Sequence, residues 1–291
     1  MRTIFLSFIV LVSLAACNTG QQKQSSAIDA DLQAKADSVL QEKLAEFDAS
    51  TGQIIIMDVQ TGEVKASVGN DSLLQASGLV RTAVLLAALE TKSVSLSDTV
   101  NVGNGVLIVD NDTLYDHNWR RGGYGRITLE QGFASSSDIA IYKTMKKAFK
   151  NGQALAEALG KLGYQVEDSS LVRDLSGYGI LTTPLQNLTF ITSKAVLHNP
   201  DMRQALEYAV TDGLGRPAQS QMVKVAGVTS TLLLPDGEYA LEFCGYFPAD
   251  NPEYSMIVTL NKEGLPASGG LMAGTVFKEL AEYMVGEWKR P

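Results

Sequence analysis

The sequence is short of the residues that most often build catalytic and metal centres. It has two cysteines and two histidines in 291 residues. Cys17 and Cys244 give no disulfide framework. His117 and His198 lie far apart, with no partner at metal-ligand spacing. That leaves a metal centre and a Ser-His-Asp triad without support, and both histidines read as surface or capping residues. Asp110, Asp112 and Asp116 lack the glycine and the final acid of a calcium loop, so they read as solvated turn acids. No cofactor and no metal is expected. Acidic residues outnumber basic ones, 32 to 24, for a formal charge of −8. No basic patch suggests a nucleic-acid partner. The apolar run from Thr3 to Leu14 is too short to span a bilayer as a mature helix.

What is present begins with that run. Met1 and Arg2 form a basic start, and Leu14-Ala15-Ala16-Cys17 matches a bacterial lipobox. Residues 1–16 then read as a lipoprotein signal peptide, with Cys17 as the lipid attachment site. The simpler alternative is an ordinary secretory signal. Residues 17–26 are rich in Gln, Ser, Asn and Thr and read as a flexible tether. Asn18, directly after the cysteine, leans towards the outer membrane, facing the periplasm. From residue 27 onward the chain can build a sizeable core, the whole being 45% hydrophobic.

Apolar residues at helical spacing from Ile28 to Leu44 predict an amphipathic helix. Gln53 to Asp58 and Glu63 to Val68, joined by a Gly-containing turn, predict a hairpin. Leu79 to Leu89 carries one charge, Arg81, and predicts a buried helix. Residues 91–126 lack a strong period beyond a short strand candidate, Val106 to Val109. Helices are predicted over Thr128 to Phe133, Ile139 to Phe149, Gly152 to Leu162, Pro184 to Leu197 and Asp201 to Val210. Three strands follow, Val223 to Leu234, Tyr239 to Phe247 and Ser255 to Leu260. Ser268-Gly269-Gly270 is read as opening a last helix that runs to about Trp288. Cys244, inside a strand, reads as a small core residue. The pattern is α/β: a mostly antiparallel sheet flanked by helices, with a helical insert over about 127–215.

Several stretches, in order along residues 50 to 288, resemble the transpeptidase domain of penicillin-binding proteins. That family reads Pro-Gly-Ser-x-x-Lys before an apolar helix often ending Ala-Ala-Leu-Glu. Ala87-Ala88-Leu89-Glu90 keeps the ending, and an ungapped alignment puts Gly78 at the serine and Arg81 at the lysine. The family's Ser-x-Asn is matched by Ser136-Ser137-Asp138, where a plain helix cap is the other reading. Its Lys-Thr-Gly-Thr strand is matched by Val228-Thr229-Ser230-Thr231. The resemblance implies the fold of residues 27–291 and a place in peptidoglycan chemistry. It also implies a serine nucleophile, a lysine base, and a strand that binds substrate and offers a cation to its carboxylate.

Here those groups are replaced. Gly78 has no hydroxyl, and Ser77 is about 100° away around a helix. Arg81 stays protonated at pH 7 and is no general base. Val228 offers no cation, and Ser230 adds a side chain where close approach is wanted. Loss of a serine nucleophile alone costs roughly 10⁶ in kcat. Three readings remain. One is an inactive transpeptidase homologue, anchored to the membrane by its lipid, that binds a peptidoglycan stem peptide or a cell-wall synthesis protein. The second is an active D,D-transpeptidase or carboxypeptidase using Ser77 or Ser136. The third is a surface scaffold or adhesion protein. In addition, Arg81 and Asp138, replacing lysine and asparagine that face one another in the family, are expected to form a bidentate ion pair across the cleft. The plainer alternative is that each points to water or bonds a nearby backbone group.

Overall fold

The computed structural model describes residues 28–69, 78–109, 112–166 and 180–288. The lipobox, the tether, Ser77 and Asp110 lie outside them. The expected first helix is α1, Ala30–Phe47, capped by Asp29, whose carboxylate accepts from Leu32 N–H. The hairpin follows as β1, Thr51–Asp58, and β2, Val64–Gly69, with a register irregularity at Ile56/Met57. Helix α2, Val80–Glu90, is buried from Val80 through Leu89 except at Arg81, as its composition predicts.

Residues 91–126 hold more strand than their weak period suggests. The structure places β3 at Thr99–Gly103, β4 at Val106–Val109, β5 at Asp112–Tyr115 and β6 at Gly125–Thr128, paired as two small antiparallel ribbons. Then come α3, Leu129–Ala134, with a capping box between Thr128 and Gln131, and α4, Asp138–Ala148. They are followed by α5, Gly152–Lys161, and the short strands β7, Gln165–Val166, and β8, Ile180–Leu181. The single helix expected from Pro184 to Leu197 is broken. It forms α6, Pro184–Ile191, and α7, Lys194–Leu197, parted at Thr192-Ser193. Thr192 Oγ1 donates back to the Leu188 carbonyl at 3.0 Å, a side-chain bond that competes with helix continuation. Helix α8, Pro200–Thr211, begins with Asn199 as cap and proline in the first turn.

The last strands are β9, Ala226–Leu233, β10, Glu238–Phe247, and β11, Tyr254–Glu263. Helix α9, Ala273–Gly286, follows. The central sheet runs β2-β1-β11-β10-β9, antiparallel at every pairing. Alternation splits its side chains between two cores. Ile54, Ile56, Phe243, Phe247 and Val258 pack with α1 and α9. Ile55, Met57, Val228, Cys244 and Ile257 pack under α2 and the helices that follow. Cys244 is buried and free, as expected, and burial pushes its thiol pKa well up. No helix among the described residues is long and apolar enough to cross a membrane.

The Gly269-Gly270 pair does not open the last helix, which starts at Ala273. A Cβ on Gly269 would collide with the Ser230 carbonyl, so this glycine lets the loop lie against β9.

Candidate functional site

Three elements converge at one edge of the sheet: the start of α2, the turn between α3 and α4, and β9. They bring together Gly78, Arg81, Ser136, Asp138, Thr229, Ser230 and Thr231, residues separated by up to about 150 positions in sequence. Most of them line a cleft of about 280 Å³, together with Tyr115, His117 and Ser268. Val228 is buried beneath it in the apolar core.

Arg81 is the hub. Its Nε donates to the Gly78 carbonyl and its Nη1 to the Ser136 carbonyl, each at 3.0 Å. Nη1 also lies 3.3 Å from Asp138 Oδ1. The expected ion pair is therefore present, but it is not bidentate. The guanidinium's best-directed donors go to two backbone carbonyls, and Asp138 Oδ1 is buried without a hydrogen bond. Ser136, whose carbonyl takes one of these bonds, has a left-handed backbone with φ 53°, uncommon outside glycine. The Arg81 side chain is 11% exposed and that of Asp138 28%. Burial pushes the Asp138 carboxyl above its ordinary value; Arg81 opposes that shift and Asp116 adds to it.

On the strand side the hydroxyls are engaged within the chain. Ser230 Oγ accepts from Gly78 N–H at 3.0 Å. Thr229 Oγ1 donates to the Glu242 carbonyl and Thr231 Oγ1 accepts from Gly269 N–H, at 3.0 and 2.9 Å. Space for a side chain at position 78 is already filled. A Cβ there would meet the Arg81 guanidinium and lie 2.8 Å from Ser230 Oγ. The backbone N–H beside it, a donor an oxyanion would need, is held by Ser230.

Two features escaped the sequence. Asp116 is fully buried, not a solvated turn acid. It accepts from Ser137 Oγ at 2.9 Å and from Ile139 N–H at 3.3 Å, and burial raises its carboxyl pKa. Ser137 in turn caps α4 by accepting from Ala140 N–H, so the helix-cap reading of this stretch holds at Ser137. His117 is exposed, as expected, yet it lines the cleft and bonds the Tyr124 hydroxyl at 2.9 Å through Nδ1. No cluster of three potential metal ligands occurs among the described residues. A larger hollow of about 740 Å³ lies along α8, away from these residues. Its polar groups are largely paired already, Gln204 with Glu130, Arg203 with the Ala249 carbonyl, and Glu207 with Lys224.

No protein-family model matches this chain, and no curated protein matches it by sequence. Solved structures do match. The transpeptidase domain of penicillin-binding protein 3 from Burkholderia pseudomallei superposes with a TM-score of 0.80 at 19% identity, covering 93% of this chain and 98% of that one. A peptidoglycan glycosyltransferase from Burkholderia ambifaria gives 0.77 at 20% identity, over 89% and 96%. The transpeptidase domain of a D,D-transpeptidase, FtsI4, from Legionella pneumophila gives 0.65 at 21%, over 88% and 97%.

Proposed function

From the fold of penicillin-binding protein transpeptidase domains, we infer that this chain is a catalytically inactive transpeptidase homologue of the bacterial cell envelope. On this reading it is held by a lipid on Cys17, faces the periplasm from the outer membrane, and binds peptidoglycan stem peptides or a cell-wall synthesis protein. The observation that carries the reading is the state of position 78. No hydroxyl stands there, the Arg81 guanidinium and Ser230 Oγ take the space, and Ser230 holds the Gly78 N–H. Acyl transfer needs a nucleophile with a base beside it. Arg81 is a permanent cation and supplies no base.

Fluorescent penicillin tests this directly. The purified chain is expected to show no covalent band. A band lost on Ser136→Ala or Ser77→Ala would overturn the reading in favour of an active enzyme. The anchor is tested separately: labelled palmitate should enter the wild-type chain in bacteria and be absent from Cys17→Ala. Co-sedimentation with purified murein, or capture of a cell-wall synthase from solubilised envelope, tests the binding role.

A further inference from the structure

We infer that the cleft binds an α-amino-acid zwitterion, its carboxylate on Arg81 and its ammonium on Asp138. This rests on the reading of the cleft as a binding site that does not acylate, and it names the ligand class. The starting observation is which polar atoms are left over. Arg81 Nε and Nη1 are engaged, whereas Nη2 has no hydrogen-bond partner among the described residues. Asp138 Oδ1 is buried against the guanidinium, while Oδ2 makes no hydrogen bond to the described chain and its side chain opens into the cleft. A pair that served only to neutralise itself would be expected to dock fork to fork. This pair is offset: Arg81 Nη2, lying over Gly78, and Asp138 Oδ2 are both left without a partner among the described residues, on side chains that wall the same hollow.

The rest of the cleft narrows the choice. The hydroxyls of Thr229, Ser230 and Thr231 are bonded within the chain. A ligand bearing only a carboxylate would meet Asp138, and one bearing only an amine would meet Arg81. Each would lose to like charge much of what it gained. A ligand with both charges on one carbon matches both groups at once. The hollow of about 280 Å³ lies at the small end for ligand pockets and suits one amino acid with a small side chain. The ammonium and carboxylate could belong to a free amino acid or to the end of a diamino acid side chain in a peptide.

The test is calorimetric titration of the purified full-length chain with glycine, D-alanine and L-alanine. Parallel titrations use N-acetylalanine, which lacks the ammonium, alaninamide, which lacks the carboxylate, and a short peptide carrying the zwitterion on a diaminopimelyl side chain. At least one zwitterion should bind, and each blocked form should be weaker by about tenfold or more. Asp138→Asn keeps the side-chain volume and should abolish that preference with the thermal midpoint little changed. Arg81→Gln should weaken all forms that carry a carboxylate. Binding of the peptide but not of free alanine supports the site and makes the peptide its source; the reverse supports it with the free amino acid as source. Three results would each overturn it: no binding of any zwitterion at millimolar concentration, equal binding of N-acetylalanine and alanine, or unchanged binding by Asp138→Asn. Penicillin labelling is read separately. Labelling together with alanine binding would sink the inactive reading and leave the site. Neither labelling nor binding would sink the site and leave the inactive reading.

Discussion

Both faces of the central sheet rest on apolar packing, but only one of them carries a polar wall at its edge. Under α1 and α9 the core is aliphatic and aromatic, with Phe277 edge-on to Phe243 and Phe247 at ring separations of 4.7 and 5.7 Å. The opposite face is also apolar beneath α2, but at its edge it opens into a cleft walled by Arg81, Asp138 and Ser230. Apolar packing depends on shape and area and tolerates change elsewhere. The polar wall depends on particular partners, because each buried polar group must find one. The contrast accounts for a fold shared with solved structures at only 19–21% identity, since an apolar core of one shape can be built from different residues.

The comparison breaks most sharply at Phe277. Truncation to alanine removes a fully buried ring in contact with two others, and should cost about 3–5 kcal/mol. Urea unfolding of Phe277→Ala measures this. A loss below about 1 kcal/mol would mean that the apolar face collapses to fill the gap and does not set the fold's stability.

The polar face should answer less strongly. A fully buried ion pair broken at one partner costs 3–5 kcal/mol. Asp138 is 28% exposed and its contact with Arg81 lacks hydrogen-bond geometry, so Arg81→Ala should cost about 2 kcal/mol. Much of this comes from the Gly78 and Ser136 carbonyls that Arg81 serves. Asp138→Ala should therefore be milder than Arg81→Ala. The double variant should lose less than the two singles added, because each single leaves the other charge behind. Strict additivity in the unfolding cycle would show that the two side chains do not couple.

Much of this division was legible in the sequence. The all-apolar α2, the hairpin and the last three strands follow from residue type and period, because each answers mainly to its own local pattern. The convergence of Gly78, Arg81, Ser136, Asp138 and the β9 residues came from motif order. What was hidden depends on long-range partners. Asp116 looks like a turn acid until Ser137, 21 residues on, is placed against it. The Ser230 bond to Gly78 joins residues 152 apart. The Arg81–Asp138 pair and backbone bonding stood as alternatives, and the structure combines them. Which carbonyls compete was hidden, since they belong to the backbone and carry no side-chain signature.

A pH series separates the two kinds of acid. Burial raises the Asp116 pKa, so the folded state holds that proton more tightly than the unfolded chain does. Its contribution is most favourable below the ordinary carboxylate value and declines as pH rises through the raised folded value. Asp98 is opposite in sign. Its hydrogen bond from Lys147, helped by Ser95, lowers its pKa, so its contribution is present above the ordinary value and is lost as pH falls through the lowered one. Asp116→Asn cannot ionise and should flatten the decline on the alkaline side of the carboxylate range. Asp98→Asn should flatten the loss on the acid side. Denaturant midpoints from pH 3 to 7 read both, and a wild-type slope retained in Asp116→Asn would mean that another group carries it.

The smallest expected effect is none at all, and it concerns the Ser-x-x-Lys spacing of the transpeptidase motif that the start of α2 resembles. Gly78→Ser with Arg81→Lys places a hydroxyl and a lysine at that spacing. Shortening Arg81 also clears the guanidinium from the space a Cβ would take. The hydroxyl should therefore fit once Ser230 Oγ, 2.8 Å from that Cβ, shifts by a few tenths of an ångström. It should still not react, for three reasons that lie off the helix. Asp138 faces position 81, and a carboxylate beside a lysine favours its charged form, which makes it a poor base. Ser230 Oγ still lies against position 78, accepting its N–H and withholding it from an oxyanion. Val228, buried among apolar side chains, presents no cation to a substrate carboxylate. Fluorescent penicillin should leave the double variant unlabelled. Adding Asp138→Asn, Val228→Lys and Ser230→Gly removes these obstacles one at a time. A covalent band in the double variant alone would place the block on α2 and clear the surrounding walls of any part in it.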